Sequence, residues 1–161
     1  MFALNWSLLC TNICHSVSWG SDGKHLAIGT SAAEVQIWDV AAVRQVRTLR
    51  GHLARVSTLG WSGTTLASGS RDNHVLMHDV RIRDHVTARL SSHEQEVCGL
   101  KWSPSGQQLA TGGNDNLLHV WDINMLSNST YLHRIDQVRR LAHAHKQLST
   151  YQHNHAHFDE L

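Results

Sequence analysis

No uninterrupted apolar run of 18 residues occurs in this 161-residue sequence, and no basic-then-apolar leader stands at its start. The first absence speaks against a bilayer-crossing helix and the second against a secretory signal, so a soluble intracellular protein is the default expectation. An excess of charge of one sign is lacking too. The formal balance is +1 with His neutral, which advertises neither nucleic acid nor an acidic membrane surface as a partner. Cysteine is scarce and odd in number, three in all at Cys10, Cys14 and Cys98, so a secreted disulfide framework is not expected. Cys10, Cys14 and His15 lack the two well-spaced ligand pairs of a structural zinc site. Residues 1–15 read instead as a degenerate buried strand or leader, since free cysteine packs as a small hydrophobe. No metal or cofactor is expected.

What is present is a pattern of short apolar segments and turns, clearest from His93 to Ile123. Val97–Trp102, Gln108–Gly112 and Leu117–Ile123 read as strands. Ser103-Pro104-Ser105-Gly106 and Gly113-Asn114-Asp115-Asn116 divide them with residues that tolerate tight turns. Each segment is apolar on both alternating faces, which suits a sheet packed between two neighbouring sheets.

The unit recurs upstream. Trp19, Trp61 and Trp102 end corresponding strands 42 and 41 residues apart. Leu26-Ala27-Ile28-Gly29, Leu66-Ala67-Ser68-Gly69 and Leu109-Ala110-Thr111-Gly112 supply the next strand. Trp38-Asp39-Val40, His78-Asp79-Val80 and Trp121-Asp122-Ile123 close the third. A period near 40–45 residues with Trp-Asp marks resembles the blades of a WD-repeat β-propeller. The expected fold is all-β: a partial propeller of about three four-stranded antiparallel blades at 16–50, 51–91 and 92–123. A propeller usually closes with about four to eight blades, so three read as an arc whose open sides expose apolar sheet faces.

Within the repeat, polar residues recur in register. Blade three has His93, Thr111, Asp115 and Trp121; blade two has His52, Ser68 and Asp72, with His78 in place of Trp. Blade one keeps Trp38 but has Ile28 and Ala32 at the Thr and Asp positions and Cys10 at the His position, so packing alone is expected to hold it. A Ser–His–Asp set invites a nucleophile reading, yet the strained G-x-S-x-G turn is missing and the set repeats with the structural period. Architecture is the reading, and no catalytic residue is assigned. In WD-repeat proteins such a group forms a buried hydrogen-bond chain that ties the Asp turn to the loop between blades.

Ser31–Trp38 (SAAEVQIW), His52–Trp61 (HLARVSTLGW), Glu94–Trp102 (EQEVCGLKW), Ser68–Asp72 (SGSRD) and Gly112–Asn116 (GGNDN) are more specific than the blade marks. With His78-Asp79-Val80-Arg81, they make residues 16–123 similar to the fizzy family of activators of the anaphase-promoting complex. The resemblance implies a substrate receptor that binds this ubiquitin ligase and degron-bearing cell-cycle proteins, reading a Lys-Glu-Asn peptide on one rim. It places that site at Asn116 and Asn114, with Asn116 the stronger choice, because amides donate and accept at once. The bland alternative is that both only shape a tight turn. Nothing in the sequence resembles the family's ligase-docking segments or its destruction-box pocket. A plain propeller scaffold or inert fragment is therefore the alternative function.

From residue 124 to 161 the pattern dissolves into a divergent, His-rich tail. Tyr131–Ile135 can be an outer strand of blade three. The spacing of Leu132, Ile135, Val138, Leu141, Ala142 and Leu148 favours an amphipathic helix instead. The His153-x-His155-x-His157 tract reads as a solvated, disordered end rather than a metal site. The terminal Phe-Asp-Glu-Leu resembles a retention signal only by chance.

Overall fold

The computed structural model describes residues 12–124 and 131–136. Twelve strands form three separate four-stranded antiparallel sheets, each in chain order from first to last strand. The first sheet comprises β1 (Cys14–Trp19), β2 (His25–Thr30), β3 (Val35–Asp39) and β4 (Arg44–Leu49). The second comprises β5 (Val56–Ser62), β6 (Thr65–Ser70), β7 (Val75–Asp79) and β8 (Val86–Leu90). The third comprises β9 (Val97–Trp102), β10 (Gln108–Gly113), β11 (Leu117–Asp122) and β12 (Tyr131–Asp136). The architecture is the all-β partial propeller that the repeat predicted, with no α-helix among the described residues.

β12 corrects the expectation for the tail. Residues 131–136 are a strand, not a helix, paired antiparallel to β11 with Leu118 opposite Ile135 and His119 opposite Arg134. The free edge of β11 carries backbone groups that need partners, and a paired strand satisfies them where a short isolated helix is marginal. Blade three therefore runs beyond Ile123 to Asp136. The rest of the tail, including the His153–His157 tract, lies outside the described residues.

Cohesion comes from faces that meet between sheets. Ala27, Val35, Ile37 and Leu49 of the first sheet bury against Val56, Leu59 and Leu66 of the second. Ala67, Val75, Met77 and Leu90 repeat that surface against Val97, Leu109 and Trp121 of the third. Gly69 lies where β6 meets β9, and a Cβ there would come to 2.7 Å from Val97 Cγ1. The indoles add directed links. Trp61 Nε1 donates to the Ser18 carbonyl at 3.2 Å, and Trp102 Nε1 to the Gly60 carbonyl at 3.0 Å. Arg47 on β4 reaches the carbonyls of Val80, Ile82 and Arg83 in the next blade.

Trp19 holds the equivalent place in blade one, but it is 57% exposed. Val17 beside it is also exposed, whereas its counterpart Leu59 is buried. Cys14 belongs to the same face. It is in a strand but exposed, which corrects the buried reading: burial in a propeller needs a neighbouring sheet as well as an apolar residue. Cys10 lies outside the described residues. At the other end Ala110, Leu118 and Val120 are half-buried, where Ala67, Val75 and Met77 are fully buried.

In an antiparallel meander the turns between second and third strands lie at the same end as the links between blades. That end is a rim carrying Ser31–Ala33, Arg71–Asn73 and Asn114–Asn116.

Candidate functional site

Below the rim of blade three, His93 is buried with Nδ1 at 2.8 Å from Asp115 Oδ2 and Nε2 at 3.0 Å from Thr111 Oγ1. Trp121 Nε1 donates to the same Thr111 oxygen at 2.9 Å. An indole N–H is only a donor and an ionised carboxylate only an acceptor, so the directions follow. Trp121 donates to Thr111, the Thr111 hydroxyl to His93 Nε2, and His93 Nδ1–H to Asp115. Asp115 also accepts the backbone N–H groups of Glu94 (2.9 Å) and Leu117 (3.0 Å). Burial pushes its carboxyl pKa up, but these N–H groups and His93 outweigh it and leave it lowered.

Blade two has the same core. His52 Nδ1 is 2.9 Å from Asp72 Oδ2, and His52 Nε2 is 2.8 Å from Ser68 Oγ. The third partner is His78, its Nε2 2.8 Å from Ser68 Oγ. His78 Nδ1 then meets His85 Nδ1 at 3.0 Å, and His85 Nε2 lies 3.4 Å from the Arg50 backbone N–H. One consistent direction runs through the row. Arg50 donates to His85, His85 to His78, His78 to Ser68, Ser68 to His52, and His52 to Asp72. It requires neutral rings. Burial, followed by the neighbouring charges of His85, His52 and Arg47, pushes His78 down to about 3. Burial lowers His52 too, against the pull of Asp72.

Blade one does not rest on packing alone, as its sequence led us to expect. Trp38 Nε1 donates to Gln36 Oε1 at 3.1 Å, with both residues buried. Ile28 and Ala32 leave no acceptor at the Thr and Asp positions, and Gln36 supplies one from two residues upstream. His119 is the corresponding residue of blade three. It lies edge-on to His93, ring centroids 4.5 Å apart, and shares a potential cation cluster with His93 and Asp115. Both His93 nitrogens and Asp115 Oδ2 already hold hydrogen bonds, so a cation there would have to displace them.

On the rim itself, Asn114 and Asn116 are both exposed. Asn116 has φ 63°, and the corresponding Asn73 and Ala33 have 69° and 64°. The left-handed backbone is thus common to all three turns, and part of the reason for Asn at 116 is conformational. Asn114 carries no such demand. It stands where blade two has Arg71, and it lines an open hollow of about 510 Å³ with Arg55, Arg71, Asn73, Glu94 and Glu96. Arg55 grips Glu96 at 2.8 and 2.7 Å, and Ser57 binds the same carboxylate. That grip, Arg55 first, holds the Glu96 pKa at about 2. Arg71 and Glu94 remain exposed at the hollow with opposite charges.

Three comparisons bear on this geometry. Residues 85–122 match the WD domain, G-beta repeat model, and residues 10–64 match the anaphase-promoting complex subunit 4 WD40 domain model. "Anaphase-promoting complex subunit cdc20" of Dictyostelium discoideum is 50% identical over 131 residues, covering 79% of this chain and 26% of that protein. "Protein FIZZY-RELATED 1" of Arabidopsis thaliana is 50% identical over 107 residues, 66% of this chain and 22% of that protein. A chain in the crystal structure of the mitotic checkpoint complex aligns with a TM-score of 0.74 and 41% identity, covering 78% of this chain and 37% of its own. The three blades belong to the fizzy family.

The chain spans about a quarter of the length of the curated relatives it matches. In these fizzy-family blades the residues singled out by sequence fall into two places. His52, Ser68 and Asp72 come together beneath one rim turn, and His93, Thr111, Asp115 and Trp121 beneath the next. Asn114 and Asn116 stand above them, and only Asn114 lines the hollow. Sequence reasoning missed His85, which joins the blade-two row from the link between β7 and β8. It also missed the Arg55–Glu96 pair, which spans 41 residues between blades. The shared period of Arg55 and Glu96, each just before the buried valine of an inner strand, is the one signal that could have found them.

Proposed function

We propose that this chain is the peptide-reading part of a fizzy-type activator of the anaphase-promoting complex. It takes Lys-Glu-Asn segments of degron-bearing cell-cycle proteins onto the rim at Asn114 and Asn116. The observation that carries this reading is the hollow beside Asn114. Arg71 and Glu94 offer it opposite charges, and the Asn114 amide adds a polar contact for a peptide of basic, acidic and amide side chains. Relatives named as a subunit or cofactors of that complex support the choice of ligase.

The protein acts by binding and not by catalysis, in cytoplasm and nucleus. Ser68 and Thr111 are the hydroxyls of the repeated His–Asp sets. Both are fully buried and committed in hydrogen bonds, so neither can meet a substrate. A second reading, a scaffold without degron reading, draws on Ala33. It takes the same φ as Asn116 with no amide at all.

The test is a titration of the chain with a fluorescent Lys-Glu-Asn peptide beside a scrambled one. Asn116→Ala and Asn114→Ala should each weaken binding by roughly ten-fold to a hundred-fold, the cost of an orphaned polar group. Equal binding of both peptides, or binding of neither, leaves the scaffold reading.

A further inference from the structure

β9 turns Val97 into the core and leaves the next residue, Cys98, exposed toward the rim. The Cys98 thiol lies 3.0 Å from Asn114 Oδ1 and 3.5 Å from the Glu96 carbonyl. The single S–H can serve only one of these acceptors, and Asn114 Oδ1 is the nearer. Because sulfur donates better to oxygen than it accepts from an amide N–H, the contact favours the orientation of the Asn114 amide with Oδ1 toward the thiol. Oδ1 faces the strand, and the NH₂ group faces away from it. An amide without such a partner can rotate and present either end.

Blade two shows the same device in other residues. Ser57 follows buried Val56 as Cys98 follows Val97, and its hydroxyl binds the carboxylate of Glu96. In both blades, then, the second residue of the inner strand steadies a polar group of the same hollow. Desolvation, with the Glu96 charge beside it, raises the Cys98 pKa, so the sulfur keeps its proton at neutral pH.

We infer that Cys98 is a positioning residue of the rim: its thiol fixes Asn114 with the amide nitrogen outward, making that point a donor for an acidic or carbonyl oxygen of the bound peptide. This rests on the peptide-reading role proposed above. The orientation fixes specificity. A donor at Asn114 favours an acceptor such as a glutamate carboxylate, whereas an amide free to rotate serves a glutamine equally well.

The experiment uses the full chain with Cys98→Ser, which keeps a donor, and Cys98→Ala, which removes it. Lys-Glu-Asn and Lys-Gln-Asn peptides are titrated against each. Cys98→Ser should bind as the parent chain does. Cys98→Ala should lose roughly three- to five-fold toward the glutamate peptide, about one ordinary hydrogen bond, and lose its preference over the glutamine peptide. Unchanged affinity and preference in Cys98→Ala would overturn the inference while leaving the peptide-reading role intact.

The side-chain amide signals of Asn114 in ¹⁵N NMR give a readout that needs no peptide. They should move in Cys98→Ala and stay in place in Cys98→Ser. If no peptide binds the parent chain, the peptide-reading role fails, and these signals alone decide the positioning. Identical signals in all three proteins overturn it.

Discussion

Blade three closes its buried network on Trp121, whereas blade two closes the same network on His78 and continues it to His85. The difference lies in what each ring can do. An indole has one donor and ends the row. An imidazole donates at one nitrogen and accepts at the other, so it passes the row on. Blade two thereby gains a longer hydrogen-bonded path and a dependence on neutral histidine. Blade one shows how little of this the fold strictly needs: Gln36 alone satisfies Trp38, and Ala32 stands where the others have Asp.

The strongest way to break the comparison is Asp115→Ala. It orphans His93 Nδ1–H and the backbone N–H groups of Glu94 and Leu117, so chemical denaturation should show a loss on the order of 3 kcal/mol. A loss below about 0.5 kcal/mol would mean that blade three, like blade one, stands without its carboxylate.

A smaller effect separates the inner and outer tryptophans. Trp102→Phe removes the donor to the Gly60 carbonyl inside the arc and should cost about 1–2 kcal/mol. Trp19→Phe, at the exposed face, should leave stability within about 0.5 kcal/mol. Similar losses for the two would show that the exposed face of blade one is covered in solution.

Acid should sharpen the contrast between blades two and three. His78 ordinarily titrates near 6.5 but is held at about 3 in the fold. As pH falls below 6.5 the unfolded chain takes up a proton that the folded one refuses. Stability contributed by neutral His78 is therefore full above 6.5 and lost progressively down to about 3. Asp72 and Asp115 have lowered values, so their contribution is present above the ordinary carboxyl range and is lost only at lower pH. His78→Trp, which copies blade three, should reduce the loss between pH 6.5 and about 3 and leave the parts due to His52, His85 and the carboxylates. An unaltered pH profile of unfolding would contradict the neutral-ring row.

The smallest effect concerns the left-handed turn position. Ala33→Gly should stabilise by about 1 kcal/mol by relieving a positive φ. Asn116→Gly should leave stability nearly unchanged while weakening peptide binding, which separates the turn-forming role of the amide from the recognition role. Full binding by Asn116→Gly would leave Asn116 as a turn former only.

Much of this was legible in the residues themselves. The Trp, Leu-Ala-x-Gly and Trp-Asp marks fix three sheets, because a two-residue strand period and turn chemistry act locally. His93, Thr111, Asp115 and Trp121 could be grouped because they recur in register. What could not be read depends on neighbours. β12 follows from the open edge of β11 and not from the spacing of Leu132 and Ile135. Cys14 is apolar enough for a core but has no sheet against it among the described residues. His85 enters through a link between strands, outside the repeated marks.

The most direct measurement is ¹⁵N NMR of the labelled chain during titration with a Lys-Glu-Asn peptide. The account predicts that shifts cluster on Asn114, Asn116, Arg71 and Glu94 and vanish with a scrambled peptide. Shifts confined to the opposite end, in the turns between first and second strands that hold Asp22, Gly63 and Gly106, or equal shifts with the scrambled peptide, would contradict it.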